Sequence, residues 1–206
     1  ADFPLRWTVS TMGALFKTGI NMVITSQRAI PASLMDPKIK NRSRLFYLMA
    51  NIEASQFAGD NNWALLLGTD GFITEGTGDN FFIIKDDVVI TPEGRDILRG
   101  VSREYVISEL CPTLGIPVVE KNIDPYDVYT ADEAFITGTP FCMLPVTSLN
   151  GLEIGDGKVG CVFSKIINQW NANTGVNIIK QIQTWDAANP QNDLQNAPTP
   201  YKFNKK

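Results

Sequence analysis

The sequence predicts an α+β fold on three observations: short β-rich segments separated by turn residues, three stretches with helical spacing, and no regular βα alternation. The 206 residues are 44% hydrophobic and 19% charged, enough to bury a sizeable core in one large domain.

The elements follow in chain order. Ala1 to about Pro37 reads as a helix-like stretch, a strand at 22–25 and an extended connection containing Pro31 and Pro37, too short for a domain. Leu45, Leu48, Met49 and Ile52 then fall on one face of a helix, with Gly59 at the position of a C-terminal cap. From Trp63 onward an antiparallel meander is expected. Trp63 to Leu67 passes through Thr69-Asp70-Gly71 into Phe72-Ile73-Thr74, and Asn80 to Ile84 turns at Lys85-Asp86-Asp87 into Val88-Val89-Ile90. A second helix begins near Val101-Ser102 and ends around Leu114-Gly115, with Pro112 disturbing its last turn. Val118-Val119, Ala134 to Thr137 and Met143 to Thr147 add strands, and Asn150-Gly151 marks a tight turn before Leu152-Glu153-Ile154. A third helix covers Val162 to Trp170, and Ala187 to Lys206, rich in Asn, Pro, Gln, Ala and Lys, reads as an irregular tail.

Composition excludes several classes of function. There is no histidine, which removes Ser-His-Asp and Cys-His catalysis and HExxH metal chemistry together. Proton transfer then falls to Lys, Asp, Glu, Tyr or Cys. Three cysteines without CxxC spacing indicate neither a disulfide framework nor a zinc site, and a reducing cytoplasm is the default expectation. A net charge of -4 without a basic stripe argues against nucleic acid as a partner. The apolar runs, such as Trp63 to Leu67, fall well short of the roughly 20 residues of a membrane span. A small-molecule partner is expected instead.

Four local features carry chemistry. Lys40 stands in the polar segment Lys38 to Arg44 directly before the first helix, although two lysines in a loop also read as a solvated patch. Glu75 ends an apolar strand and opens Gly76-Thr77-Gly78-Asp79-Asn80, and a buried acid there needs a cation or a hydrogen bond. Gly100-Val101-Ser102-Arg103 opens a helix whose free amides suit a phosphate, while Ser102 as a plain cap fits equally well. Thr137-Gly138-Thr139-Pro140 follows another apolar strand and offers hydroxyl and backbone donors. A pyridoxal phosphate site needs these groups: a lysine for the imine, an acid for the ring nitrogen, and donors for the phosphate.

In order and spacing these segments resemble the class IV (fold type IV) aminotransferases, which include branched-chain and D-amino acid aminotransferases, R-selective amine transaminases and aminodeoxychorismate lyase. The match covers roughly residues 36 to 175. In the family the Schiff-base lysine lies thirteen residues before the Glu of a Glu-Ala pair, and Glu53-Ala54 selects Lys40 over Lys38. The resemblance implies pyridoxal 5'-phosphate as cofactor, with Lys40 catalytic as Schiff base and proton shuttle. It further implies cofactor contacts from Glu75, Asn80, Leu98, Gly100, Val101, Ser102 and Thr139, and substrate contacts from Gly76, Thr77 and Pro140. Arg99 and Ser102 replace the usual proline and threonine of the phosphate motif. Leu45 stands five residues after Lys40 where branched-chain enzymes place a tyrosine. Pro140-Phe141-Cys142 replaces small residues and predicts a narrowed pocket.

The implied fold is the large domain of the D-amino acid aminotransferase-like type, a mixed sheet or pseudo-barrel flanked by helices. Residues 1–36 are expected to be a remnant of a small N-terminal domain with its connection, 37–186 the cofactor-binding domain and 187–206 the tail, so the chain reads as a fragment or truncated product. The implied activity is a transaminase acting between an amino acid or amine and a 2-oxo acid, as a cytoplasmic homodimer. The alternatives are a lyase of the aminodeoxychorismate type and an inactive truncated cofactor-binding domain.

Overall fold

In the computed structural model of the chain, residues 12–188 are described. The segment β1 (Ile20–Arg28) alternates apolar and β-branched residues, and Met22 and Val23 are both fully buried, as expected of a strand covered on two faces. It runs parallel to β2 (Asn62–Leu67) on one side and to β8 (Cys142–Leu149) on the other. The expected antiparallel meander follows: β2 pairs with β3 (Ile73–Gly76), and β4 (Asn80–Lys85) pairs with β5 (Val88–Thr91). Asp86 and Asp87, at φ 50 and 60, make the tight turn between β4 and β5. β7 (Glu133–Gly138) lies antiparallel to both β4 and β8. Because β3 also pairs with β4 through Glu75 and Asn80, the order β3-β2-β1-β8-β7-β4 closes on itself as a barrel. The parallel strand β6 (Val118–Glu120) extends the sheet beyond β5, and β9 (Leu152–Glu153) adds to β8.

Helices cover this barrel. After the short α1 (Leu15–Thr18), Gly19 turns the chain at φ 71, where a Cβ would meet the Thr147 side chain at 2.3 Å. The helix α2 (Leu45–Ala54) corrects the expected burial. Leu45 and Met49 are exposed, and the face that packs on Val23, Ala64 and Leu66 carries Ala50 and Ala54. Small side chains let the helix lie close to β1 and β2, and the Glu53 carboxylate pins it by accepting bonds from the Ser26 amide and hydroxyl, both 2.7 Å. The helix ends at Ser55, short of Gly59.

The second predicted helix, α3, is α-helical over Val101–Tyr105, widens to a π-helix over Val106–Leu110 and closes over Cys111–Thr113. Its wide turns precede Pro112, which has no amide hydrogen to give. α4 (Pro125–Tyr129) is an addition to the expected elements, although Asp124 before Pro125 is a start signal, and its capping box with Asp127 is complete. α5 (Cys161–Thr174) buries Val162, Phe163, Ile166, Ile167 and Trp170 and ends at Gly175 in the left-handed region. α6 (Ile178–Ala188) runs into the start of the stretch expected to be irregular, and the rest of that stretch, like residues 1–11, lies outside the described residues. The core between barrel and helices centres on Phe82 and Phe135, stacked at 4.6 Å.

Candidate active site

The β3–β4 turn, the end of β7, the start of α3 and the loop before α2 meet around a cleft of about 230 Å³. Among the residues named from the sequence, Lys40, Glu75, Gly76, Thr77, Asn80, Leu98, Gly100, Val101, Ser102 and Thr139 line it. Pro140, expected near the substrate, follows Thr139 but is not among the residues lining this cleft. The β7–β8 turn instead draws Phe141 inward over Gly138, whose Cβ would sit 2.8 Å from the ring, and Phe141 packs edge-on against Trp63. Cys142 takes φ 63 to complete this turn.

The two lysines of the loop part company. Both are exposed, but Lys38 is tied to Asp36 at 2.8 Å, whereas Lys40 lines the cleft. The connection from Lys40 to α2 is held by local bonds, with the Ser43 amide on Asn41 Oδ1 at 2.7 Å and Arg44 Nε on the Asn41 carbonyl at 3.1 Å.

Glu75 is buried at 6% exposure and its carboxylate is gripped from three elements. Oε1 accepts from the Tyr47 hydroxyl at 3.0 Å, and Oε2 accepts from Asn80 Nδ2 at 3.1 Å and from the Leu98 amide at 3.0 Å. Burial holds its pKa above the ordinary carboxylate range, the Leu98 amide and the Tyr47 hydroxyl oppose that rise, and Asp79 adds to it. The same burial, together with the Glu75 charge, raises the Tyr47 phenol. Asp79 is also buried, which raises its carboxyl, and its Oδ1 has no hydrogen-bond partner.

Asn80 links this acid to the start of α3, since its Nδ2 also donates to the Leu98 carbonyl at 2.8 Å. Gly100 must be glycine for that link: a Cβ there would stand 2.2 Å from Asn80 Oδ1. The first amides of α3 follow Gly100, with buried Ser102 beside them, and such amides have no partner inside a helix. Thr137 pairs with Asn80 across β7 and β4, so their side chains share a sheet face, and its buried hydroxyl has no partner.

Sequence reasoning does not single out Tyr47, Asp79 or Thr137. Leu45 faces outward, and the phenol that enters the cleft is that of Tyr47, two residues later, on Glu75. The Arg44 guanidinium lies over the Tyr47 ring at 5.7 Å. An aromatic with a polar tip on an otherwise apolar helix was the available signal for Tyr47.

The barrel thus brings a lysine, a triply held acid, hydroxyls and the first amides of α3 into one cleft. Residues 4–149 match the family model described as Amino-transferase class IV, and the chain belongs to that family. It is 32% identical over 168 residues to the branched-chain-amino-acid aminotransferase of Escherichia coli K12, covering 81% of this chain and 53% of that protein. The enzyme of the same name from Pseudomonas aeruginosa is 40% identical over 109 residues, 53% of this chain and 35% of that protein. The chain thus spans about half, or less, of the curated relatives it matches. Among solved structures, the E. coli branched-chain amino acid aminotransferase superposes with TM-score 0.71 at 30% identity, covering 79% of this chain and 52% of that one. The branched-chain amino acid aminotransferase from Thermobaculum terrenum, solved in its PLP-form, gives TM-score 0.70 at 25% identity, covering 83% and 54%.

Proposed function

We propose that the chain is the pyridoxal-phosphate-binding part of a transaminase that moves an amino group between a small amino acid and a 2-oxo acid. The observation that carries this is Lys40 lining the same cleft as Glu75, whose carboxylate is held ready by Tyr47, Asn80 and Leu98. The donor set fits the cofactor. Gly100 leaves no room for a Cβ where α3 begins, the free amides of Val101 and Ser102 suit a phosphate, and the Thr137 hydroxyl is a buried donor still in want of an acceptor.

When bound, pyridoxal 5'-phosphate supplies an aldehyde for amine exchange and a protonated ring that withdraws electrons from the substrate's α-carbon. Glu75 in its charged form would face the ring nitrogen and keep it protonated. Leu98 would give the ring an apolar contact, and Val101, Ser102 and Thr139 would hold the phosphate. Lys40 Nζ would carry the cofactor and would serve as the base that moves the substrate's α-proton. Gly76 and Thr77 shape the substrate side, Thr77 being fixed by its bond to Asn51 Oδ1 at 3.1 Å. Residues 37–186 form the cofactor-binding unit of this reading. β1, from the preceding stretch, belongs to the same barrel through its pairing with β2 and β8. A cytoplasmic homodimer belongs to the same proposal, the homodimer resting on the family resemblance; among the described residues the cysteines are free and no helix is long and apolar enough to cross a membrane.

Leu45 in place of tyrosine is the observation that favours the lyase reading. Incubation with pyridoxal phosphate, borohydride reduction and peptide mapping test the cofactor role, with the label expected on Lys40. A label on Lys38, or none, overturns it. Turnover of branched-chain amino acids with 2-oxoglutarate supports the transaminase, whereas cleavage of aminodeoxychorismate alone supports the lyase.

A further inference from the structure

Two acids share one buried wall of the cleft, Glu75 at 6% exposure and Asp79 at 7%. Their surroundings are unequal. Glu75 accepts three hydrogen bonds, from Tyr47, Asn80 and Leu98. Asp79 Oδ1 accepts none, and the Gly78 amide is the one group that favours its carboxylate. The Asp79 carboxyl is also pressed against β3, because a Cβ on Gly76 would stand 2.2 Å from Oδ1. The charged and titratable groups facing this wall are Arg44 and Tyr47 from α2 and its entry, Lys40 from the preceding loop, and Asp96 and Arg99 from the approach to α3. Arg44 favours the charged form of Glu75, whereas no cation among the described residues does the same for Asp79.

Two negative charges in one desolvated wall repel, and the charge settles where donors await it. We propose that Asp79 is a positioning residue acting through Glu75: it keeps a proton as a neutral acid, so that the single negative charge of the pair stays on Glu75. Nothing is transferred to the ligand. The pair holds one proton and one charge, the proton on Asp79 and the charge on the acid bound by three donors. A second charge on Asp79 would push Glu75 toward its protonated form and remove the anion that the proposed ring contact needs. This consequence rests on the transaminase reading; the protonation pattern itself does not.

The test follows carboxyl carbons by NMR in the full chain labelled with ¹³C at Asp or, separately, at Glu, first without cofactor. Asp79 is the one buried aspartate among the described residues, so the wild-type chain alone suffices. The expected result is one Asp carboxyl still protonated at about pH 6 while the buried Glu is ionised. In Asp79→Asn that Asp signal disappears and the Glu75 midpoint stays in place, since a neutral amide replaces a neutral acid. In Glu75→Gln the Asp79 midpoint falls, its neighbour's charge being gone. An ionised Asp79 at about pH 6, or a protonated Glu75 beside it, overturns the proposal. Added pyridoxal phosphate should leave Asp79 protonated. Absence of any absorbance change on that addition would count against the cofactor reading alone, with the ligand-free titrations still deciding the role of Asp79.

Discussion

Of the three donors to Glu75, the Leu98 amide belongs to the backbone, and Tyr47 is the cleaner of the two side chains to remove because its phenol adds the bond without shaping the backbone. Tyr47→Phe is expected to cost about 1–3 kcal/mol, read as a lower urea midpoint, because Oε1 is left buried and unpaired. An unchanged midpoint would show that water replaces the phenol. The raised acids also set a pH dependence. A carboxyl whose folded pKa lies above its unfolded one binds more protons in the folded chain, so its stability contribution is full at low pH and is lost as pH rises through the raised value. Between about pH 5 and pH 8 the wild-type chain should therefore lose stability relative to Asp79→Asn, as the Asp79 carboxyl is forced to ionise, and a gap moving the other way would refute this. At this scale the sequence favours Lys40 over Lys38 through the family spacing to Glu53, and that spacing has a physical counterpart in the bonds by which Glu53 ties α2 to Ser26. It cannot identify Tyr47 or Asp79, whose roles come from contacts with residues on other elements.

Among the elements, α5 depends on a cap from another strand. Glu133 at the start of β7 accepts from the Val162 and Phe163 amides, both at 2.9 Å. Glu133→Ala should cost about 1–2 kcal/mol by thermal or chemical denaturation, comparable to the loss of a local N-cap. α2 tests the opposite limit. Ala50 is fully buried against β1 and β2, so Ala50→Leu should destabilise by about 1–3 kcal/mol through overpacking, while Leu45→Ala on the exposed side should cost far less. The contrast explains why the buried face of this helix is not legible in its sequence. That sequence, Leu-Phe-Tyr-Leu-Met-Ala-Asn-Ile-Glu-Ala, is apolar nearly all round, so periodicity does not select a side, and close approach to the sheet favours the smallest residues. α5, with polar residues between its buried ones, offers no such ambiguity. α4 is legible in Asp124-Pro125, a cap followed by a residue suited to the first helical position.

At the scale of the whole molecule, the antiparallel neighbours are readable because tight turns announce them, as at Asp86-Asp87. The parallel pairings of β1 with β2 and β8 are not, since they join segments far apart in sequence with no turn between them. What holds these distant pieces together is the shared aromatic core. Phe135→Ala, which removes the ring stacked on Phe82, should cost about 3–5 kcal/mol and lower the melting temperature of barrel and helices in one transition.

The barrel closes where Glu75 of β3 meets Asn80 of β4, and these two residues also form the floor of the cleft. The seam and the site are therefore one structure. Any molecule that engages Glu75 stitches the sheet shut, and any opening of the seam scatters the groups that recognise it. Amide hydrogen exchange should report this directly: residues 75–80 should exchange through local openings in the bare protein and slow markedly with pyridoxal phosphate present, while amides on the far strands β5 and β6 keep their rates.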